Sequence, residues 1–293
     1  MRWRDQRRSE NIEDQRGMSP AMAVGGGVGT LVLILLALLF GVDPSKFLQG
    51  VPAQGPGAAA RPGGGPGGGA PRPVDPAEEE AKDFVSVILA STEDVWTDLL
   101  PKATGRKYET PKLRLFSGSV TTQGCGHASA AVGPFYCPAD DRVYLDLSFF
   151  NELRTKFKAP GEFAQAYVVA HEVGHHIQNL LGTSRKVDAA RRRLSEAEAN
   201  ALSVRMELQA DFLAGVWAHH AQRMQNILEK GDVAAGLRAA SAIGDDKLQT
   251  QARGYAVPDS FTHGSSEQRV RWFRRGLETG DVNQGDTFAT DAL

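Results

Sequence analysis

His171 and His175, in the run VVAHEVGHHIQNLLG, stand four residues apart with Glu172 between them. On a helix that spacing puts both imidazoles on one face, one turn apart, where they can grip a single zinc ion. Glu172, about 100° around the helix from His171 by the 3.6-residue period, can then sit beside a water that the metal activates and take its proton. The chemistry implied is metal-assisted hydrolysis. The surrounding sequence AYVVAHEVGHHIQNLL is apolar enough to be a buried helix, and burying two imidazoles and a carboxylate without a metal would be costly.

A catalytic zinc usually takes three protein ligands and leaves one position for water. Glu207 and Asp211 in MELQAD lie one turn apart on a second long helix whose apolar face would pack against the first. This reading puts the Glu207 carboxylate on the metal and Asp211 behind it, accepting a hydrogen bond from the free ring N–H of His171. A donor for the developing oxyanion must come from elsewhere, and His263 in SFTHGSS and Tyr255 in RGYAVP are the candidates, both polar rings in loop-like sequence. His176 points about 100° away from His175, which gives it a supporting or packing role. His219 and His220 are expected at an exposed helix C-terminus, and His127 in a connecting loop.

The elements that must hold these residues follow from composition and pattern. Asp75 reads as a helix N-cap with Pro76 at the first helical position, and Phe84, Ile88, Val95 and Leu99 set one face of that helix on a core. LRLFSG and RVYLDL read as short strands of a small sheet. Helices are expected from about 161 to 181, closed by Gly182, from about 195 to 224, in shorter pieces between 232 and 253, and from about 265 to 278. The fold class is α+β, mostly helical, over residues 75–293.

The first quarter of the chain differs. Residues 22–41, MAVGGGVGTLVLILLALLFG, carry no charge and are long enough to cross a bilayer as one helix. Arg2, Arg4, Arg7, Arg8 and Arg16 precede that run, and only Lys46 appears before Arg61 after it, so residues 1–21 are expected as a cytoplasmic tail and everything beyond as extracytoplasmic. Residues 42–74, rich in Gly, Pro and Ala, read as a flexible tether spanning on the order of 30 Å. Cys125 and Cys137 are the only cysteines, and in an oxidising compartment they are expected to form one disulfide contributing about 3 kcal/mol by loop closure. A zinc site of these two cysteines with His127 is the competing idea, disfavoured because their spacing matches no common ligand pattern. A net charge of −2 gives no reason to expect a nucleic-acid partner.

AHEVGHHIQ together with ELQADFLAG, preceded by GPFYCPADDRVYLDLSFF and followed by DSFTHGSSEQRVRWF, resembles the neutral zinc metallopeptidase family of bacterial membrane-anchored proteins. The resemblance covers about residues 75–280. It implies a zincin-like fold, zinc on His171, His175 and Glu207, Glu172 as general base, and a third ligand in a gluzincin-like ExxAD helix, here Glu207 to Asp211. The leading expectation is a zinc peptidase anchored by one pass in the cytoplasmic (inner) membrane and acting on peptides or proteins on the periplasmic side. Two others stand beside it: a non-catalytic scaffold that retains a zinc, and a zinc amidase acting on cell-wall amides. Glu172 argues against the scaffold, because a structural site has no use for that carboxylate.

Overall fold

The computed structural model describes residues 1–17, 75–290 and 292–293. Its strands are β1 (Ile12–Asp14), β2 (Lys112–Phe116), β3 (Ser119–Thr121), β4 (His127–Ser129), β5 (Phe135–Cys137) and β6 (Arg142–Asp146). The α-helices are α1 (Pro76–Thr104), α2 (Ser148–Thr155), α3 (Glu162–Leu181), α4 (Thr183–Arg191), α5 (Glu196–Gln225), α6 (Asp232–Ala242), α7 (Asp245–Arg253) and α8 (Ser266–Thr279). The α+β reading holds, with helix following helix after the last strand.

The two strands expected from sequence, β2 and β6, lie side by side and run parallel, Leu113 opposite Val143 and Leu115 opposite Leu145. The sheet order is β1-β2-β6-β5, with β5 antiparallel to β6 at one edge and the β3–β4 pair separate. Leu113, Leu115, Val143 and Leu145 are all buried, as side chains of an inner strand pair must be. The Cys125–Cys137 disulfide is present and ties β5 to the loop after β3.

Residues 1–17 overturn one expectation. They belong to the same folded unit as the helices and form no separate tail. β1 adds a parallel strand to β2, Ile12 opposite Leu113. Trp3 is buried, its ring set edge-on to Phe84 at 5.3 Å, and the Ser9 amide donates to the Ser86 carbonyl at 3.0 Å. Glu93, itself buried, accepts from the Ser9 hydroxyl at 2.5 Å and from Arg7 at 2.8 Å. This cover explains why α1 departs from the single apolar face read from its sequence. Every residue from Phe84 to Glu93 is buried, because the N-terminal segment closes the side that would otherwise meet water. A segment in this sheet cannot also lie across a membrane from it.

The start of α3 is anchored by the same segment. The Met1 amino group donates to Glu162 at 3.1 Å and to Glu229 at 2.8 Å, and the Trp3 indole N–H donates to the other Glu162 oxygen at 2.9 Å. Gly182, in the left-handed conformation, ends α3 as its spacing predicts. Helix α5 opens on a capping box in which Ser195 and Glu198 satisfy each other's backbone amides. It packs on α8 so closely that a Cβ on Gly276 would strike the Phe212 carbonyl.

The apolar run 22–41 and the tether 42–74 lie outside the described residues. Among the described residues no helix is long and apolar enough to cross a membrane.

Candidate metal centre

Two helices make the site, and one glycine lets them meet. Gly174, between His171 and His175 in α3, faces α5 at Ala210, where an ideal Cβ would fall 2.9 Å from the Ala210 carbonyl oxygen and 3.1 Å from its Cα. Any larger residue would push the helices apart at the level of the histidines. The close crossing brings Glu207, one turn before Asp211, over the histidine pair. His171 Nε2 lies 3.2 Å from one Glu207 oxygen and His175 Nε2 lies 3.3 Å from the other.

His171, His175 and Glu207 are the cluster of potential ligands among the described residues, their donor atoms within 4.8 Å of one another. Two imidazole nitrogens and one carboxylate are a donor set that zinc accepts while keeping a position open. The opposite ring nitrogens are fixed, as metal-binding histidines require. His171 Nδ1 sits 2.9 Å from Asp211 Oδ1, and His175 Nδ1 sits 2.8 Å from Gln178 Oε1. Gln178 in turn donates to the Met206 carbonyl at 2.7 Å, which bolts the histidine helix to α5 again. The structure therefore brings His171, His175, Glu207 and Asp211 together.

Behind them stands a residue that sequence reasoning missed. Arg269 of α8, 2% exposed, donates through Nε to Asp211 Oδ2 at 2.8 Å and through Nη2 to Oδ1 at 2.9 Å. Its Nη2 also lies 3.3 Å from the Tyr167 hydroxyl, which donates to Asp211 in its turn. Burial alone would push the Asp211 carboxyl up, but Arg269 and His171 override it and hold it below the usual carboxylate range. Burial likewise pulls His171 down, yet the charges of Asp211 and Glu207 raise it to about 10. Arg269 lies in the run SEQRVRWF, where nothing local distinguishes it from Arg271.

The pair opens into a cleft of about 530 Å³ that Glu172 also lines. Glu172 is 7% exposed, and no hydrogen bond ties its carboxylate to another described residue. His263 lines the same cleft, and Asp245 holds it, with Nδ1 3.2 Å from Asp245 Oδ1. The other Asp245 oxygen collects the backbone amides of Thr262, His263 and Gly264 at 2.6 to 3.1 Å. That hydrogen bond raises the His263 imidazole above its ordinary value, against the effect of burial and with help from the charge of Glu207.

Tyr255 is not brought to the cleft. It follows the left-handed Gly254 that ends α7, is 61% exposed, and does not line the cavity. His176 turns the other way from the metal face, as expected. Its Nε2–H donates to the Glu109 carbonyl at 2.6 Å, and its Nδ1 lies 3.1 Å from the Tyr136 hydroxyl. His219 and His220 are half-buried rather than exposed. They cap the end of α8, donating to the carbonyls of Leu277 at 2.9 Å and Gly280 at 2.8 Å. His127 is exposed on β4, away from the cleft.

The chain has relatives among known proteins. The chain is 47% identical to the uncharacterized protein YpfJ of Escherichia coli (strain K12), over 98% of this chain and 99% of the relative. It is 44% identical to the uncharacterized protein Rv2575 of Mycobacterium tuberculosis (strain ATCC 25618 / H37Rv), over 73% of this chain and 74% of the relative. No solved structure matches it. The family described as "Putative neutral zinc metallopeptidase" matches residues 1–288, the N-terminal segment and the metal cluster alike, and the chain belongs to that family.

Proposed function

We propose that the chain is a zinc-dependent peptidase that hydrolyses peptide bonds of peptides or proteins, with His171, His175 and Glu207 as the residues that would hold the ion. The observation carrying this reading is the pairing of that cluster with an untethered Glu172 carboxylate in one cleft. Zinc, when bound, supplies a Lewis acid that polarises the scissile carbonyl and makes a water acidic enough to attack near neutral pH. Glu172 accepts the proton of the attacking water and returns it to the leaving amine. His263, held by Asp245, faces the cleft as the donor for the oxygen that becomes negative. Asp211 fixes the tautomer and orientation of His171, and Arg269 keeps Asp211 ionised and in place.

The disulfide supports a site in an oxidising, extracytoplasmic compartment, with the apolar run 22–41 attaching the protein to the bacterial inner membrane. Residues 1–17 then share the compartment of the metal centre.

The test is zinc content together with hydrolysis by the purified full chain. The expected result is one zinc per chain, cleavage of casein, and loss of cleavage but not of zinc in Glu172→Gln. Bound zinc with no cleavage and no effect of Glu172→Gln would favour the scaffold reading. Cleavage confined to cell-wall fragments, followed by mass spectrometry of the products, would favour the amidase.

A further inference from the structure

The cleft lining mixes polar and apolar side chains. Away from the histidines and acids its lining includes Val132, Phe149, Phe157 and Val168. Three separate parts of the chain contribute them: the disulfide-bounded loop, helix α2 with the turn after it, and α3 itself. Val168 stands three residues before His171 and four before Glu172, so it shares their face of α3 and brings apolar surface to within one turn, about 5 Å, of the general base. The rings of Phe149 and Phe157 lie 6.0 Å apart at 45°, and Gly133 of the disulfide loop runs alongside Phe149. Phe149 and Phe157 remain only half-buried, and Val132 at the lip is 64% exposed.

An open apolar wall that adjoins a hydrolytic centre has an evident use, since large apolar side chains left facing water mark a place where another apolar group is bound. We propose that this wall is a side-chain subsite that selects a large apolar or aromatic residue next to the scissile bond. The inference rests on the peptidase reading above and names its substrate class. Such residues lie inside folded proteins, so the segments this cleft accepts are those of unfolded or unassembled polypeptides. Val132, Phe149, Phe157 and Val168 themselves offer a charged side chain no partner, although Asp188 and Arg191 also line the cleft.

The experiment uses the zinc-loaded full chain in two arms. In the first, a mixture of synthetic peptides of random sequence is digested and the cut sites are read by mass spectrometry. Cut sites should be enriched in Phe, Leu, Tyr and Met over Asp, Glu and Lys at one position flanking the bond. Phe149→Ala should lower kcat/KM for those peptides by roughly tenfold or more, and Phe149→Arg should shift the preference toward Asp and Glu. The second arm measures binding of acetyl-Ala-Ala-Phe-Ala-Ala-amide and its Glu counterpart to the Glu172→Gln protein, and so needs no turnover. Tighter binding of the Phe peptide, lost in Phe149→Ala and in Phe157→Ala at unchanged zinc content, supports the subsite. Equal binding of the two peptides, or profiles unmoved by these substitutions, overturns it. Absence of cleavage with preserved Phe selectivity would sink the peptidase reading and leave the subsite standing.

Discussion

Arg269 grips both carboxylate oxygens of Asp211, Nε to Oδ2 at 2.8 Å and Nη2 to Oδ1 at 2.9 Å, with the two side chains 2% and 0% exposed. Such a fork in a dry interior fixes the carboxylate in one orientation and aims its remaining capacity at His171. Breaking the pair leaves Asp211 as an uncompensated buried charge. Arg269→Met is therefore expected to destabilise the fold by about 3–5 kcal/mol, read from urea unfolding monitored by tryptophan fluorescence. A loss below 1 kcal/mol would mean that Asp211 does not depend on this partner.

Asp211→Asn retains the shape but weakens the acceptor that orients His171. Metal affinity should fall roughly 10- to 100-fold, measured by competition with a fluorescent zinc chelator. Unchanged affinity would show that His171 is oriented by packing alone.

The hydrogen bond from Asp245 sets a pH window. It raises the folded His263 pKa above the ordinary imidazole value, so the imidazolium and the stability it adds are fully present below that value and are lost as pH rises through the raised one. If the imidazolium is the oxyanion donor, kcat/KM has an alkaline limb in the same window. Asp245→Asn removes the raising partner, and the limb should move to lower pH in a kcat/KM profile. A limb that stays in place would assign it to another group.

Trp3 joins the N-terminal segment to two elements at once, Phe84 of α1 and Glu162 at the start of α3. Trp3→Ala should cost about 3–5 kcal/mol as a buried aromatic truncation. Trp3→Phe should cost far less, about 1 kcal/mol for the lost indole hydrogen bond plus some packing. Denaturant midpoints of the two variants decide this, and equal small losses would show the segment to be a loose attachment.

The cluster of His171, His175 and Glu207 was legible because helical periodicity leaves little choice. Once α3 and α5 are helices, residues four apart must share a face, and the sequence around His171 and Glu207 is too apolar for either face to meet solvent. The caps at Asp75 and Gly182 were readable for the same local reason. Arg269 was not, since whether an arginine points inward depends on what α8 packs against, and Gly276 rather than any charge pattern decides that. Tyr255 failed as a candidate because a polar ring in a loop carries no information about direction. β1 was invisible for a different reason. Ile12–Asp14 has no alternation to read, and its partner Leu113 stands about a hundred positions along the chain.

That distant pairing has a consequence for any membrane the protein meets. Residues 1–17 and residues from 75 onward are parts of one folded body, so both stand on the same side of any membrane that body meets. Cysteines introduced at Asp5 and at Lys102, both on its surface, are expected to react alike with a membrane-impermeant maleimide in intact cells. Opposite labelling would mean that β1 is absent from the sheet in the cell. A strand and its partner in one sheet report the same compartment, whichever compartment that is.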